Sequence, residues 1–181
     1  MDDGRPRRSA PFSQEPGFYE EGNLWLYGNV RVLQGRLAYI EYTLWRRNQH
    51  CLNLDEIEMA TEQLVLNGEI LVCGIHNEGH RQSALVPLRW GSPRILILSG
   101  GFHHHLGPKL DQEPFLTARL WRYQFDPVTD LVISRRAPNK KPTFASYNPT
   151  VDRLIKGLVE CSLPGFNTLF DPLSRLPLLA S

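Results

Sequence analysis

The chain has 181 residues, 41% of them hydrophobic and 22% charged, with a formal net charge of only +1. That is the composition of one folded domain with a real core; it excludes two large domains and a disordered chain. The near-neutral balance also excludes a global field for nucleic acid or membrane, so either partner would have to be recognised by local clusters.

The amino terminus, MDDGRPRRSAPFSQEPG, carries Arg5, Arg7 and Arg8 with no apolar run behind them. It is not a signal peptide, and residues 1–22 are expected to be a disordered arm. Asn23–Leu33 holds a short extended piece around Gly28–Asn29. Leu37–Tyr42 reads as a buried strand, rich in apolar and aromatic residues, and Thr43–His50 as a loop. Asn53 caps a helix, with Glu56 completing a capping box. Leu54, Ile57, Ala60 or Thr61, and Leu64 give that helix one buried face, and Asn67–Gly68 ends it.

Ile70–Cys73 is the second strand, and Gly79–Leu88 the second helix, shortened or distorted by Pro87. Arg94–Ser99 is the third strand. Gln112–Tyr123 is predicted helical, with Phe115, Leu116, Ala118 and Trp121 mostly inward. Asp130–Ser134 is the fourth strand, and a polar, proline-containing loop follows. Asn148 caps the last helix, with Pro149 at its first position. Its stripe of Val151, Leu154, Ile155, Leu158 and Val159 belongs to a core. Residues 161–181 form a Pro/Leu-rich tail expected to drape over the domain or to pack on a partner, a second copy or another protein.

No apolar run approaches the roughly 20 residues of a membrane span. Cys51, Cys73 and Cys161 are widely spaced and odd in number, which reads as reduced thiols in a cytoplasmic protein. Strands and helices alternate β-α-β-α-β-α-β-α. This predicts an α/β fold: a Rossmann-like parallel sheet with helices on both faces, in three layers. Within it, Gly68–Gly101 runs strand, glycine turn, helix, strand, glycine pair. Ligands of such sheets sit at the carboxyl ends of the strands, where these glycines fall.

The order of these landmarks over residues 23–160 resembles the Rossmann-like domain of the DNA-processing protein A (DprA/Smf) family, within the wider SLOG group. Val72-Cys73-Gly74 matches a strand ending in Ser-Gly, and His80 a histidine on the following helix. Ile95–Gly101 matches a strand ending in a glycine pair, Thr129–Arg135 a late strand with its serine, and Asn148–Leu158 the segment leading into the final helix. The chain departs from the pattern at Glu41-Tyr42-Thr43, where the family has Gly-Ser-Arg, and in a shorter loop after Gly74. It therefore resembles a divergent member. The resemblance implies binding of nucleic acid, single-stranded DNA first of all, with a role in DNA processing or recombination and no cofactor. It implies phosphate contacts at Gly74, His80 and Arg153. The wider group implies an alternative, a nucleotide or nucleotide derivative bound by a sensor or hydrolase. A third alternative is a structural subunit that has lost the site.

The residues themselves add to this. Ser99-Gly100-Gly101 offers flexible backbone amides for an anion-binding nest, against the plainer reading of a tight turn. Arg135-Arg136 and Lys140-Lys141 are the strongest charge feature. From Val86 to Thr143 nine Lys/Arg stand against four acids, enough for a loop that tracks a nucleic-acid backbone. Trp45 beside Arg46-Arg47, together with Phe144 and Tyr147, would supply stacking surfaces, against the plainer reading of an ordinary solvated loop with buried aromatics. His103-His104-His105 does not fit one metal ion from a regular strand, because successive side chains alternate. His76 and His80 are four apart, but His76 is placed in the loop before the helix. No nucleophile–base pair emerges, and Glu78 reads as a surface acid. The expected protein is a binding protein rather than an enzyme.

Overall fold

The computed structural model describes residues 13–43, 53–142 and 145–161. The expectations for Trp45, Arg46, Arg47, Cys51, Phe144 and residues 162–181 lie outside the described residues. Six strands form one sheet: β1 (Ser13–Tyr19), β2 (Leu24–Gly28), β3 (Leu37–Ala38), β4 (Ile70–Cys73), β5 (Arg94–Leu98) and β6 (Leu131–Ser134), in the order β1-β2-β6-β5-β4-β3. The last four in chain order are mutually parallel, and β2 pairs antiparallel with β6 and with β1. Five α-helices complete the described chain: α1 (Leu54–Leu66), α2 (Glu78–Trp90), α3 (Phe102–Leu106), α4 (Leu116–Leu120) and α5 (Pro149–Val159).

The two-residue period of the strands sorts their apolar side chains into two cores. Leu71, Cys73, Leu96, Leu98 and Val132 pack under the layer containing α1 and α2, with Ile57, Leu64, Ala84 and Leu85. Val72, Ile95, Ile97, Leu131 and Ile133 face the other way, onto Val151, Leu154, Ile155 and Leu158 of α5. Because β3 to β6 add in chain order, right-handed crossovers keep their connecting helices on one face. Only α5, after the last strand, returns across the opposite face against β3, β4 and β5. The result is a three-layer, Rossmann-like α/β fold with a mixed sheet. Cys73 lies wholly inside, and burial pushes its thiol up to about 12, so it acts as a packed apolar group. No helix among the described residues is long and apolar enough to cross a membrane.

Several expectations change. Ser13–Tyr19, inside the stretch expected to be an arm, forms β1; its Phe18 ring lies 5.0 Å from Trp25 of β2. The strand expected over Leu37–Tyr42 stops at Ala38. The Thr43 hydroxyl donates to the Ile40 carbonyl at 2.7 Å, closing a 3-10 turn over Glu41–Thr43. Helix α2 continues through Pro87 to Trp90 and ends on Gly91 in the left-handed region. The helix expected over Gln112–Tyr123 shrinks to α4. Its amino-terminal part is drawn away because Gln112 bridges Gln124 and the Glu113 carboxylate pairs with Arg94. Ala118 and Phe115 are buried as expected, but Leu116 and Trp121 are 64% and 63% exposed.

Arg94, counted above in the local basic excess, is completely buried. Its Nε donates to Asp130 at 2.9 Å and one Nη to the Ala84 carbonyl at 3.0 Å, while the other pairs with Glu113. The basic surface therefore loses one arginine, and the acids lose two.

Candidate functional site

The parallel strands β4, β5 and β6 end together at one edge of the sheet, and the first turns of α2 and α5 approach that edge from opposite faces. Asn77 caps α2 by accepting from the His80 amide at 2.9 Å, and its own amide donates to the Thr43 carbonyl at 3.1 Å. Asn148 caps α5 by accepting from the Val151 amide at 3.2 Å. Local sequence thus fixes both helix starts, and packing brings them together.

Between them lies a cluster that the sequence did not assemble. The Gly74 amide donates to His80 Nδ1 at 3.0 Å. The proton of the neutral ring is then on Nε2, which faces Asp152 Oδ1 at 3.4 Å. His76 Nε2 lies 3.2 Å from the same oxygen, and the two imidazoles are 4.4 Å apart between centroids. Burial depresses the His80 pKa to about 4. For Asp152, burial acts upward, but the two imidazoles outweigh it and hold the carboxyl well below the usual range.

Two histidines and one carboxylate at this spacing have the donor set of a metal site. A ligating Nε2 would need its proton moved to Nδ1, where the Gly74 amide already points. The chemistry fits a hydrogen-bonded latch between α2 and α5 better than a metal centre. Gly74 has a packing reason as well, since a Cβ there would collide with the His76 ring.

The glycine pair after β5 is closed. A Cβ on Gly100 would strike Pro142, and one on Gly101 would strike the carbonyls of Ala137 and Pro138. The Gly101 amide donates to the Lys140 carbonyl at 2.7 Å, and the His103 amide to the Pro138 carbonyl at 3.1 Å. The Ser134 hydroxyl donates to the Gly100 carbonyl at 2.8 Å and accepts from the Arg136 amide at 3.0 Å. The glycines admit the returning 135–142 loop, so the expected phosphate nest at Gly100-Gly101 is corrected to a loop-docking seat. Gly74 and His80 are likewise internal, with the Gly74 amide and the His80 ring turned to each other.

Two cavities remain open beside this seat. One, of about 260 Å³, lies between the tips of β5 and β6 and the start of α5; Ser99, Arg135, Arg136, Tyr147, Asn148 and Thr150 line it. The other, of about 410 Å³, is lined by His76, Arg81, Ser99, His105, Arg119 and Ser146, among others. They meet at Ser99. Among the described residues, four arginines line the pair, and no aspartate or glutamate does. Arg135 donates to the Gly22 carbonyl at 3.3 Å, Arg136 to the Lys141 carbonyl at 3.1 Å, and Arg81 Nε to the Ile75 carbonyl at 3.0 Å.

Carbonyl contacts orient these guanidinium groups. Pro149 has no amide hydrogen and Asn148 already takes that of Val151. The start of α5 thus contributes its dipole rather than a nest of donors.

Ser99, Arg135 and Arg136 are therefore brought together. Lys140, Lys141 and Arg153 are exposed outside the cavities. Arg81, Arg119 and His105 were missed as site residues. His103 and His104 are exposed on α3, while His105 turns inward, where burial lowers its pKa to about 4.

No family model, no curated protein and no solved structure matches the chain.

Proposed function

We propose that this chain is a DprA/Smf-like binder of single-stranded nucleic acid, with a role in DNA processing or recombination, and that it holds the strand across the carboxyl edge of β4, β5 and β6. The observation that carries this reading is the pair of adjoining cavities lined, among the described residues, by four arginines and no acid. Such a track attracts a polyanion by counterion release and needs no backbone nest. Tyr147, 48% exposed at its rim, gives one base a face to stack on. Lys140, Lys141 and Arg153 would extend the contact to flanking phosphates. The order of motifs from residue 23 to 160 supports the same reading.

Fluorescence anisotropy with a labelled oligothymidylate tests it. Affinity is expected to fall with salt, with a logarithmic slope near −0.7 for each phosphate neutralised. Arg135→Glu with Arg136→Glu is expected to weaken binding at least about tenfold and to flatten that slope. Unchanged affinity in the double variant removes the proposal.

The 260 Å³ of the first cavity favours a second reading, in which one nucleotide or nucleotide derivative is the whole ligand. That volume sits just below the roughly 300–1,000 Å³ of small-molecule sites. Thermal stabilisation by a mononucleotide, without oligonucleotide affinity, would select it. The closed glycine pair favours a scaffold subunit, which a stable protein partner and neither ligand would identify.

A further inference from the structure

The geometry points to head-to-tail self-association of this chain, with the outer face of α1 in one copy docking on α4 and its basic groove in the next. Five of the large apolar side chains that stand out into solvent fall on these two surfaces. Met59 and Leu66 are 62% and 58% exposed on α1, and Leu116, Leu120 and Trp121 are 64%, 71% and 63% exposed on or beside α4. Clustered exposed apolar groups of this size mark interaction sites.

The charges around them are opposite. On α1, Asp55, Met59, Glu62 and Leu66 follow a spacing of four, three and four, which places them on one helical stripe, and Glu56 lies beside it. All five are exposed, and the three acids have no ion pair among the described residues. Beside α4, a groove of about 490 Å³ runs over the Gln112–Gln124 bridge, bordered by Lys109, Arg119 and Arg122 with one acid, Asp111, among them. These three cations also have no ion pair among the described residues.

An apolar pair ringed by three acids thus meets an apolar trio beside three bases and one acid, a net positive surface. Trp and Arg at the centre, with leucine around them, suit a protein interface. Leu116 and Arg119 also line the larger arginine-lined cavity, so the two surfaces adjoin there, while Leu120, Trp121 and Arg122 lie outside both cavities.

The occupant is a second copy because the complementary surface is on the chain itself and a single copy cannot bring the two together. α1 packs on α2 over β4. The segment carrying α4 is anchored at the far side of the sheet, where Phe125 lies 5.8 Å from Tyr27 of β2. The surfaces lie at opposite ends of one helical layer, so their contact is heterologous and propagates as a ring or filament.

Sedimentation velocity on the full chain, without ligand, tests this. The weight-average mass is expected to rise at least twofold over about a hundredfold range of concentration, and to fall back with added salt. Two double variants change exposed residues outside the two cavities: Met59→Lys with Glu62→Arg, and Leu120→Asp with Arg122→Glu. Each alone is expected to be monomeric. Mixed in equal amounts, they retain one good surface each and are expected to form a one-to-one dimer that grows no further. A wild-type chain that stays monomeric overturns the proposal, as does association that survives either double variant or a mixture that does not recombine.

Discussion

Gly74 donates to Nδ1 of His80, which leaves the ring proton on Nε2, facing Asp152. Desolvation then resists a second proton, since a charged ring in this place would lose nearly all its water. His80 is expected to remain neutral, as the Nε2–H tautomer, down to about pH 4. Nitrogen chemical shifts of the labelled ring check this directly; protonation near 6.5, or the other tautomer, would refute it. The sequence hinted at half of this cluster. His76 and His80 stand four apart, and His76 does lie in the loop before α2. Asp152, which faces both rings, lies 72 residues beyond His80 on another helix, and no spacing rule reaches that far. Glu78, the acid nearest in sequence, is exposed at the start of α2.

At the level of elements, legibility tracked local chemistry. α1, α2 and α5 each begin at an asparagine cap, and β4, β5 and β6 are built on the apolar runs Ile70–Cys73, Ile95–Leu98 and Leu131–Ile133. These signals are contained in short windows, and the sequence shows them. β3 is two residues long, β1 is polar along part of its length, and α4 is set by a buried ion pair. Tertiary contacts decide those three, so composition alone misplaces them. The glycine pair is the instructive case. A flexible turn at a strand end serves an anion or a close-packed backbone equally well, and here the 135–142 loop fills it. Gly101→Ala should therefore destabilise the fold by about 1–3 kcal/mol through overpacking against the Ala137 and Pro138 carbonyls. The same change at Gly68, where nothing lies within 4 Å of an added Cβ but φ is +73°, should cost only the roughly 1 kcal/mol of a left-handed alanine. Thermal unfolding of both variants separates steric closure from backbone freedom. A Gly101→Ala protein as stable as the wild type would mean that the loop does not seat there.

Across the whole molecule, buried ionisable groups occupy both edges of the sheet and respond to pH in opposite directions. The alternation of strands and helices foretold the layers, but nothing in it foretold which charges would be enclosed. At the carboxyl edge, the folded His80 pKa of about 4 lies below its ordinary 6.5. Its contribution to stability is therefore complete above pH 6.5 and is lost as pH falls toward 4, worth about 3 kcal/mol in all. At the amino edge, Glu113 and Asp130 share Arg94, and burial raises both pKa values despite that arginine. Two enclosed carboxylates carry one more negative charge than Arg94 neutralises, which favours their protonated forms. Here the contribution is present below the ordinary carboxylate range and is lost as pH rises through the raised values. Between about pH 4.5 and 6.5 the two trends oppose each other, so the wild-type unfolding temperature should vary less than that of either single variant. Glu113→Gln removes the acidic surplus around Arg94, and its stability should climb with pH across that window. His80→Gln removes the other trend, and its stability should decline with pH instead. Calorimetry of the three proteins through the window decides the matter: parallel profiles would show that neither buried cluster is linked to protons as its geometry requires.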